Sequence, residues 1–266
     1  MASVEKRRQG FTILELLMAM AIFVIICAAM FGLLDMSQKR YNSETQVTAA
    51  YQDARLAVDQ ITRDFNVGGY PPAGIYSVRP VSQPWQYATG PVAWSPNYPT
   101  TDCQIGVSCT SPGDYDLIIE TRLAGDTNVS WIWYYLDQTR NTLMRAVVTK
   151  TSGDPWSVVQ SASEAVPLLA NVMNNPSDPA VLSQIKGENP TMYPLGTAQP
   201  IFQYTCDTPS GPVPCTSPLA AGYNTPRNIR DVNVTLIVAT PQRDMQTHRF
   251  KLVELNGRGH RLNPDM

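Results

Sequence analysis

The chain has 266 residues, of which 16% are charged, and its formal net charge is −2. That length allows one large domain or two small ones. The slight acidic excess argues against nucleic-acid binding, because nucleic-acid-binding domains usually carry a basic patch and a high pI. The chain has only two histidines and lacks the phosphate-binding, dinucleotide-binding, zinc-protease and serine-hydrolase motifs. We therefore expect neither an enzyme nor a cofactor.

An apolar segment follows a short basic leader at the N-terminus. Residues 1–10 contain three basic residues, and residues 11–34 contain a single charge, Glu15. As a helix, the apolar segment would be about 36 Å long, enough to cross the ~30 Å hydrocarbon layer of a membrane. A secretory signal peptide has an apolar region of only about 7 to 15 residues. Basic residues precede the span and Asp35 follows it, which predicts a cytoplasmic N-terminus and a periplasmic remainder.

Glu15 is an unusual residue for a membrane span. An ionisable group at membrane depth costs about 2.5 kcal/mol or more and usually has a partner there. If the chain were cut after Gly10, the new α-amine on Phe11 would lie one helical turn from the Glu15 carboxylate. The carboxylate would then form half of an ion pair, either within its own helix or with a neighbouring helix.

Residues 10–17, GFTILELL, resemble the prepilin signature of type IV pilins and type II secretion pseudopilins. In those families a membrane peptidase cuts after the glycine and methylates the new N-terminal residue. The resemblance implies cleavage after Gly10, N-methylation of Phe11 and a role for Glu15 in aligning subunits during assembly. The alternative is an uncut membrane anchor with the same apolar helix.

The helix is expected to continue beyond the membrane through residues 35–67. No proline or glycine lies between Ser37 and Val67, and apolar residues recur at spacings of three and four. This pattern predicts an amphipathic helix that packs on a globular head. The apolar positions are Val47, Ala50, Ala54, Ala57, Val58, Ile61 and Phe65. Gly68 and Gly69 end the helix, which would be about 80 Å long in total.

Three parts of the chain resemble PilW-like minor pilins. They are the end of the helix at 54–70, a strand pattern that closes with Leu143 and Arg145, and the C-terminal pair of strands. The resemblance implies a pilin fold, in which a long N-terminal helix packs on a head of antiparallel β-sheets. At the end of the helix Arg63 and Asp64 match the family, and the alternative for them is a pair of solvated helix charges.

Residues 68–266 are predicted to form the head, an α+β unit with two small antiparallel sheets. Period-two patterns predict six strands. They cover residues 115–123, 129–137, 142–148, 201–205, 229–239 and 248–255. A further apolar segment lies at 165–172, and a Pro- and Asn-rich excursion follows at 174–199.

Charged residues flank these strands. Asp114 and Asp116 stand at the start of the first strand, where acidic residues either bind Ca²⁺ or form the turn. The turn is the interpretation that we favour. The basic C-terminal tail, with Arg258, His260 and Arg261, is expected to be solvated.

Residues 71–114 are rich in Pro, Ser, Thr and Gly, with scattered aromatic residues. We predict a long ordered surface loop, because the aromatic side chains need something to pack on. The aromatic residues are Trp85, Tyr87, Trp94 and Tyr98. Packing inside the loop is the favoured interpretation. The alternative is an exposed surface for a partner or a glycan, as in a tip adhesin.

Four cysteines in the head form two local pairs, Cys103 with Cys109 and Cys206 with Cys215. In an oxidising periplasm we expect each pair to form a disulfide that closes a short loop, although other connectivities are open. Zinc is the rival interpretation, but no C-x-x-C occurs and both histidines lie far downstream. We therefore expect no metal site. Cys27, in the apolar helix, is expected to be a packing residue.

Together these features predict a PilW-like minor type IV pilin that primes or caps a pilus. The resemblance implies a prepilin peptidase, other minor pilins, the major pilin and the inner-membrane assembly platform as partners, with membrane lipid around the helix before assembly. The protein would lie in the bacterial inner membrane with a periplasmic head, and later in the pilus at the cell surface. No nucleic-acid partner is expected. The alternatives are a J-type minor pseudopilin of type II secretion and a pilus-tip adhesin.

Overall fold

A long helix is the first element of the fold. The computed structural model describes residues 12–75, 84–161, 164–215, 222–245 and 247–262. The leader and the expected cleavage site at Gly10 and Phe11 lie outside the described residues. Helix α1, Ile13–Asn66, is continuous over 54 residues. At 1.5 Å per residue it is about 81 Å long. The prediction of one long helix is confirmed.

Both ends of α1 have identifiable caps. At the start, the Thr12 hydroxyl accepts from the Glu15 N–H, and the Glu15 carboxylate accepts from the Thr12 N–H. Such a reciprocal pair satisfies two backbone donors that a helix start leaves unpaired. At the end, Gly69 has φ of 82°, which glycine adopts without steric cost. Its N–H donates to the Glu120 carbonyl at 2.7 Å, so the end of α1 is tied to the head.

The two halves of α1 lie in different surroundings. In the first half, the apolar half (residues 13–34), large side chains are exposed, from 80% at Ile13 to 52% at Leu34. In the second half, the head half (residues 35–66), one face is buried, with Ala54, Ile61 and Phe65 at 0% exposure. The apolar spacing in the sequence therefore predicts the face of the head half that packs on the head.

Two antiparallel sheets form the head. The first has the order β1-β2-β3-β4 and the second the order β6-β5-β7-β8. The first sheet comprises β1 (Asp116–Thr121), β2 (Ser130–Asp137), β3 (Thr142–Thr149) and β4 (Val166–Leu169). The second comprises β5 (Phe202–Thr208), β6 (Gly211–Pro214), β7 (Ile229–Ala239) and β8 (Leu252–His260). This is the predicted α+β layout of a long apolar helix followed by antiparallel sheets, consistent with a pilin fold.

One hydrophobic core joins both sheets to α1. Strand β2 contributes Tyr134 to that core, while Trp131 and Trp133 belong to a second cluster on the other face of the sheet. Strand β7 places Val232 and Val234 in the main core, but it is not half-buried as predicted, because Asp231 and Ile237 on its other face are also fully buried. Each face of the first sheet therefore packs in its own hydrophobic cluster.

Two glycines on β8 allow α1 to approach the second sheet. A Cβ atom on Gly257 would lie 2.1 Å from Val58 Cγ1, and one on Gly259 would lie 2.8 Å from Phe65 Cδ1. Both distances are shorter than van der Waals contact. Since neighbouring side chains of a strand point to opposite faces, the spacing of two puts both glycines on the face that meets the helix.

Several elements differ from the sequence prediction. The 174–199 excursion contains a helix, α3 (Pro179–Glu188), and the segment after β3 contains a short helix, α2 (Pro155–Gln160). Each begins with an aspartate N-cap followed by proline, which is a known start signal. Strand β6 was also not predicted. The last strand covers Leu252–His260 rather than the predicted 248–255. It continues through two glycines, which disfavour an isolated strand but here allow close contact with α1.

Candidate functional site

The start of α1 holds the Glu15 carboxylate in a local hydrogen-bond pattern. Glu15 Oε2 accepts from the Thr12 backbone N–H and from the Thr12 hydroxyl, each at 3.0 Å. The Glu15 N–H donates back to Thr12 Oγ1 at 3.3 Å. Thr12 is the first residue that the structure describes, and it follows Phe11, the predicted N-terminal residue of the mature chain, directly in the sequence.

The rest of the apolar half presents hydrophobic side chains on all sides. Its most apolar window has a mean hydropathy of 2.8, and none of that window is buried within the protein. In the described part of the chain, α1 is the helix long and apolar enough to cross a membrane by length and composition. A helix that is hydrophobic all round requires a membrane or a protein surface around it.

Comparison with known families supports the prediction made from GFTILELL. Residues 6–31 match the model of the prokaryotic N-terminal methylation motif. The N-terminal segment of the chain is therefore of the type IV prepilin-like kind. The match covers the second half of the leader and most of the apolar half, and it does not extend into the head. No curated protein and no solved structure matches the chain significantly.

A buried ion pair joins α1 of this prepilin-like protein to the first sheet. Asp64, 7% exposed, accepts from the Tyr134 hydroxyl at 2.6 Å and from Arg145 Nη2 at 2.9 Å, both through Oδ2. Its other oxygen accepts from the Gln60 amide at 2.9 Å. Burial raises the pKa of Tyr134 well above its usual value and the Asp64 charge raises it further, so the phenol stays a neutral donor.

This junction corrects one interpretation and links two sequence motifs. Of the helix pair, Arg63 is exposed, but Asp64 is not a solvated charge. Arg145 belongs to the Leu143–Arg145 segment. In the sequence, the only link between this segment and Asp64 is that both resemble the same family. The signal that could have found the contact is a pair of opposite charges placed at apolar positions of a helix and a strand.

The aromatic loop has a core of its own. Trp94 is fully buried, and its ring contacts the Tyr98 ring edge to face at a centroid distance of 4.8 Å. Tyr98 in turn contacts Trp131 of β2 at 5.8 Å. Trp85 and Tyr87 are half-buried. The interpretation of the loop as internally packed is therefore correct for Trp94 and Tyr98, and Trp94 offers no exposed surface to a partner.

A second buried ion pair lies under this loop. The Lys150 ammonium and the Glu120 carboxylate pair with side-chain exposures of 3% and 0%. Lys150 Nζ also donates to the Tyr87 carbonyl at 2.9 Å and to Thr89 Oγ1 at 3.1 Å, and the Tyr98 hydroxyl donates to Glu120 Oε2 at 2.7 Å. Burial and the Glu120 charge raise the pKa of Tyr98. The satisfied network attaches the loop to β1 and β3.

Both predicted cysteine pairs are disulfides in the structure. The bonds are Cys103–Cys109 and Cys206–Cys215, so these sulfurs are not available as zinc ligands. In the first loop, the Ile105 N–H donates at 2.9 Å to the carbonyl of Asn224, nine residues beyond Cys215. Cys27 is a free, half-buried cysteine on the apolar half of α1.

Asp114 lies in a bend just before β1, and Asp116 is the first residue of that strand. The Tyr204 hydroxyl contacts the carbonyls of Gly113 and Asp116 at 2.8 and 3.1 Å. Burial raises the pKa of Asp116 to about 7. In the described ranges no group of three or more His, Cys, Asp or Glu side chains is arranged to hold a metal.

The prediction of a solvated basic tail is wrong in part. Arg258 Nη2 and His260 Nδ1 lie 2.7 and 2.6 Å from the two oxygens of Asp231, which is fully buried. Burial opposes ionisation, but the hydrogen bonds from Arg258 and His260 hold the pKa of Asp231 below its usual range. The Arg261 side chain is only 9% exposed. The tail is ordered because it continues β8, and the His260 N–H donates to Asn66 Oδ1 at 2.8 Å.

Proposed function

We propose that this prepilin-like protein is a PilW-like minor type IV pilin, a structural subunit that primes or caps pilus assembly. The observation that carries the proposal is a methylation motif that leads into one continuous 54-residue helix, exposed and apolar in its first half and packed on a β-rich head in its second. This arrangement has one end suited to lipid or a filament core and one end suited to specific contacts. Nothing in it requires catalysis.

Processing is the first step of the proposed mechanism. A prepilin peptidase removes residues 1–10 and methylates the amine of Phe11. Removing the basic leader deletes the charges that hold the N-terminus on the cytoplasmic side. Residues 11–34 then span the membrane, and residues 35–67 carry the head, residues 68–266, in the periplasm.

Assembly is the second step. The Glu15 carboxylate neutralises the Phe11 amine of an adjacent subunit as both leave the lipid, since an unpaired charge in an apolar filament core is costly. The head half also carries exposed apolar residues, Tyr41 at 70% and Leu56 at 68%. These side chains extend the apolar surface beyond the membrane span. Other minor pilins, the major pilin and the inner-membrane platform are the proposed partners.

The first experiment measures the intact mass and the N-terminal peptide of membrane-extracted protein from cells with and without prepilin peptidase. A mature chain that begins with methylated Phe11 in peptidase-containing cells alone is the expected result. An unprocessed N-terminus in both strains would contradict the proposal and indicate an uncut, membrane-anchored domain.

A second experiment separates the minor-pilin role from that of a J-type pseudopilin. Deleting the gene should lower the number of pili per cell while leaving the few that form normal in length and subunit content, as expected of a priming subunit. The mature protein should copurify with pilus subunits. Copurification with secretion-system components and unchanged piliation would instead assign it to type II secretion.

A further inference from the structure

The connection between β7 and β8 folds back against α1 just beyond the apolar half. The Ser43 hydroxyl donates to Asp244 Oδ2 at 2.9 Å, and the Gln46 amide bonds to Gln242 Oε1 at 3.4 Å. One cavity of about 240 Å³ is lined from both sides, by Lys39 and Tyr41 of α1 and by Arg243 and Met245 of the connection, among others. These contacts define the end of the head that lies nearest to the apolar half.

Helix geometry gives the height of this end above the membrane. The apolar half ends at Leu34, so Lys39 lies about 7.5 Å and Tyr41 about 10 Å further along the axis. The headgroup layer on each side of a bilayer is roughly 5 to 7 Å thick. Arg243 and Met245, which share a cavity with these two residues, are therefore at or just above headgroup level.

The side chains at this end have the character of a membrane interface. Met245 is 60% exposed and Tyr41 is 70% exposed. The Arg243 guanidinium lies over the Phe250 ring at 4.8 Å, and it has no ion-pair partner among the described residues. Tyrosine at headgroup level and basic side chains with apolar stems are typical of such interfaces.

The charge at this end is mixed, and two arginines, Arg40 and Arg243, have no ion-pair partner among the described residues; Arg40 is exposed, and Arg243 Nη1 donates to the His248 carbonyl at 3.3 Å. Lys39 pairs with Asp35 at 2.7 Å, Lys251 with Asp244 at 3.4 Å, and Arg249 with Glu188 at 3.4 Å. Of the two, Arg243 belongs to the head itself, so an anionic partner bound by it would fix the orientation of the head. A lipid phosphate is the anion that the adjoining membrane supplies.

We propose that Tyr41, Arg243 and Met245, with Lys39 beside them, bind the phospholipid headgroup layer in the unassembled subunit. Arg243 pairs with a lipid phosphate, while Tyr41 and Met245 enter the interface. The surface is continuous with the membrane-spanning helix, so it needs no partner protein. It goes beyond the proposed role in the filament, because the contact exists only before the subunit leaves the membrane and holds the head in one orientation until then.

The test uses the full chain with Cys27→Ser in lipid nanodiscs. A fluorophore is placed on Met245→Cys, and its quenching by nitroxide lipids labelled in the headgroup is measured in anionic and in zwitterionic discs. The matched control carries the fluorophore on Thr127→Cys, an exposed position in the turn between β1 and β2. That turn lies at the far end of the head, where the Arg122 N–H donates to the carbonyl of Tyr70, just after α1.

We expect quenching at position 245 to exceed quenching at position 127 several-fold in anionic discs. Arg243→Glu should then lower quenching at 245, since each basic residue near an anionic surface favours contact by roughly a factor of five. Equal, weak quenching at both positions would overturn the proposal. Strong quenching that is the same in both lipids and unaffected by Arg243→Glu would overturn the part assigned to Arg243. Because none of these readouts requires pili, they are independent of the proposed pilus role.

Discussion

The two halves of α1 form one continuous helix, but their side chains differ in where they make their contacts. In the apolar half, the carboxylate of the ionisable Glu15 bonds to Thr12 within its own first turn, and the large apolar residues around it are exposed. In the head half, Asp64 is buried and bonds to Tyr134 and Arg145 of the first sheet. The head half thus has its packing and hydrogen-bonding partners within its own chain. The apolar half has to find its packing partners in lipid or in other subunits.

The comparison predicts that changes in the apolar half alter assembly, and that changes in the head half alter stability. Glu15→Val should still insert and be processed, but its incorporation into sheared pili should fall by about tenfold or more, because the partner amine is left unpaired in an apolar core. Quantitative immunoblotting of sheared pili measures this. Glu44→Val, an exposed carboxylate on the head half, is the matched control. Wild-type incorporation of the Glu15 variant would break the comparison.

In the head half, Asp64→Ala should lower the free energy of unfolding by about 3 kcal/mol, since it leaves Arg145 without its buried partner. Denaturant unfolding of the detergent-solubilised chain, followed by tryptophan fluorescence, measures the loss. Asp59→Ala is the control. Its carboxylate lies 3.9 Å from Arg55 on the exposed face of the same helix, so less than about 0.5 kcal/mol should be lost. Similar losses in the two variants would show that the buried network adds nothing.

The close approach of the second sheet to α1 gives a smaller effect. Gly257→Ala should cost about 2 kcal/mol, because the new Cβ would overlap Val58 Cγ1. Adding Val58→Ala should recover part of that loss by removing the overlapping atom, and the same unfolding assay reports both. Gly187→Ala in α3, where the new Cβ would meet no atom within 4 Å beyond the local helix backbone, should be neutral or slightly stabilising. A double variant no more stable than Gly257→Ala alone would contradict the packing explanation.

The smallest expected effect is a pH dependence of stability that arises in the head and not in α1. The folded-state pKa of Asp116 is raised to about 7 by burial, above its usual value in an unfolded chain. The folded state therefore binds the proton more tightly, so this contribution to stability is present at low pH and is lost as pH rises through about 7. Asp116→Asn should flatten the dependence and stabilise the chain by about 1 kcal/mol at pH 8. Asp126→Asn in an exposed turn is the control, and an unchanged slope for Asp116→Asn would count against this assignment.

Local patterns were sufficient for a large part of the fold. The continuous helix, the first three strands and the span of β7 follow from periodicity, because each of those segments has a regular pattern of its own. The missed elements are short or atypical. Helix α3 lies in a Pro- and Asn-rich stretch, and β8 contains Gly257 and Gly259, whose presence makes sense only against Val58 and Phe65.

The features of the candidate site also fall into two groups, those that local sequence predicts and those that depend on the tertiary structure. The sequence by itself determined the membrane-spanning helix, the prepilin signature and the unusual charge of Glu15, because these depend on neighbours along the chain. Only the tertiary structure decided that Asp64 meets Tyr134 and Arg145, that Trp94 is buried, and that the basic tail binds Asp231. Those contacts join residues far apart in the chain. Whether a charge is solvated or paired there depends on the side chains that folding brings to it, which no local pattern records.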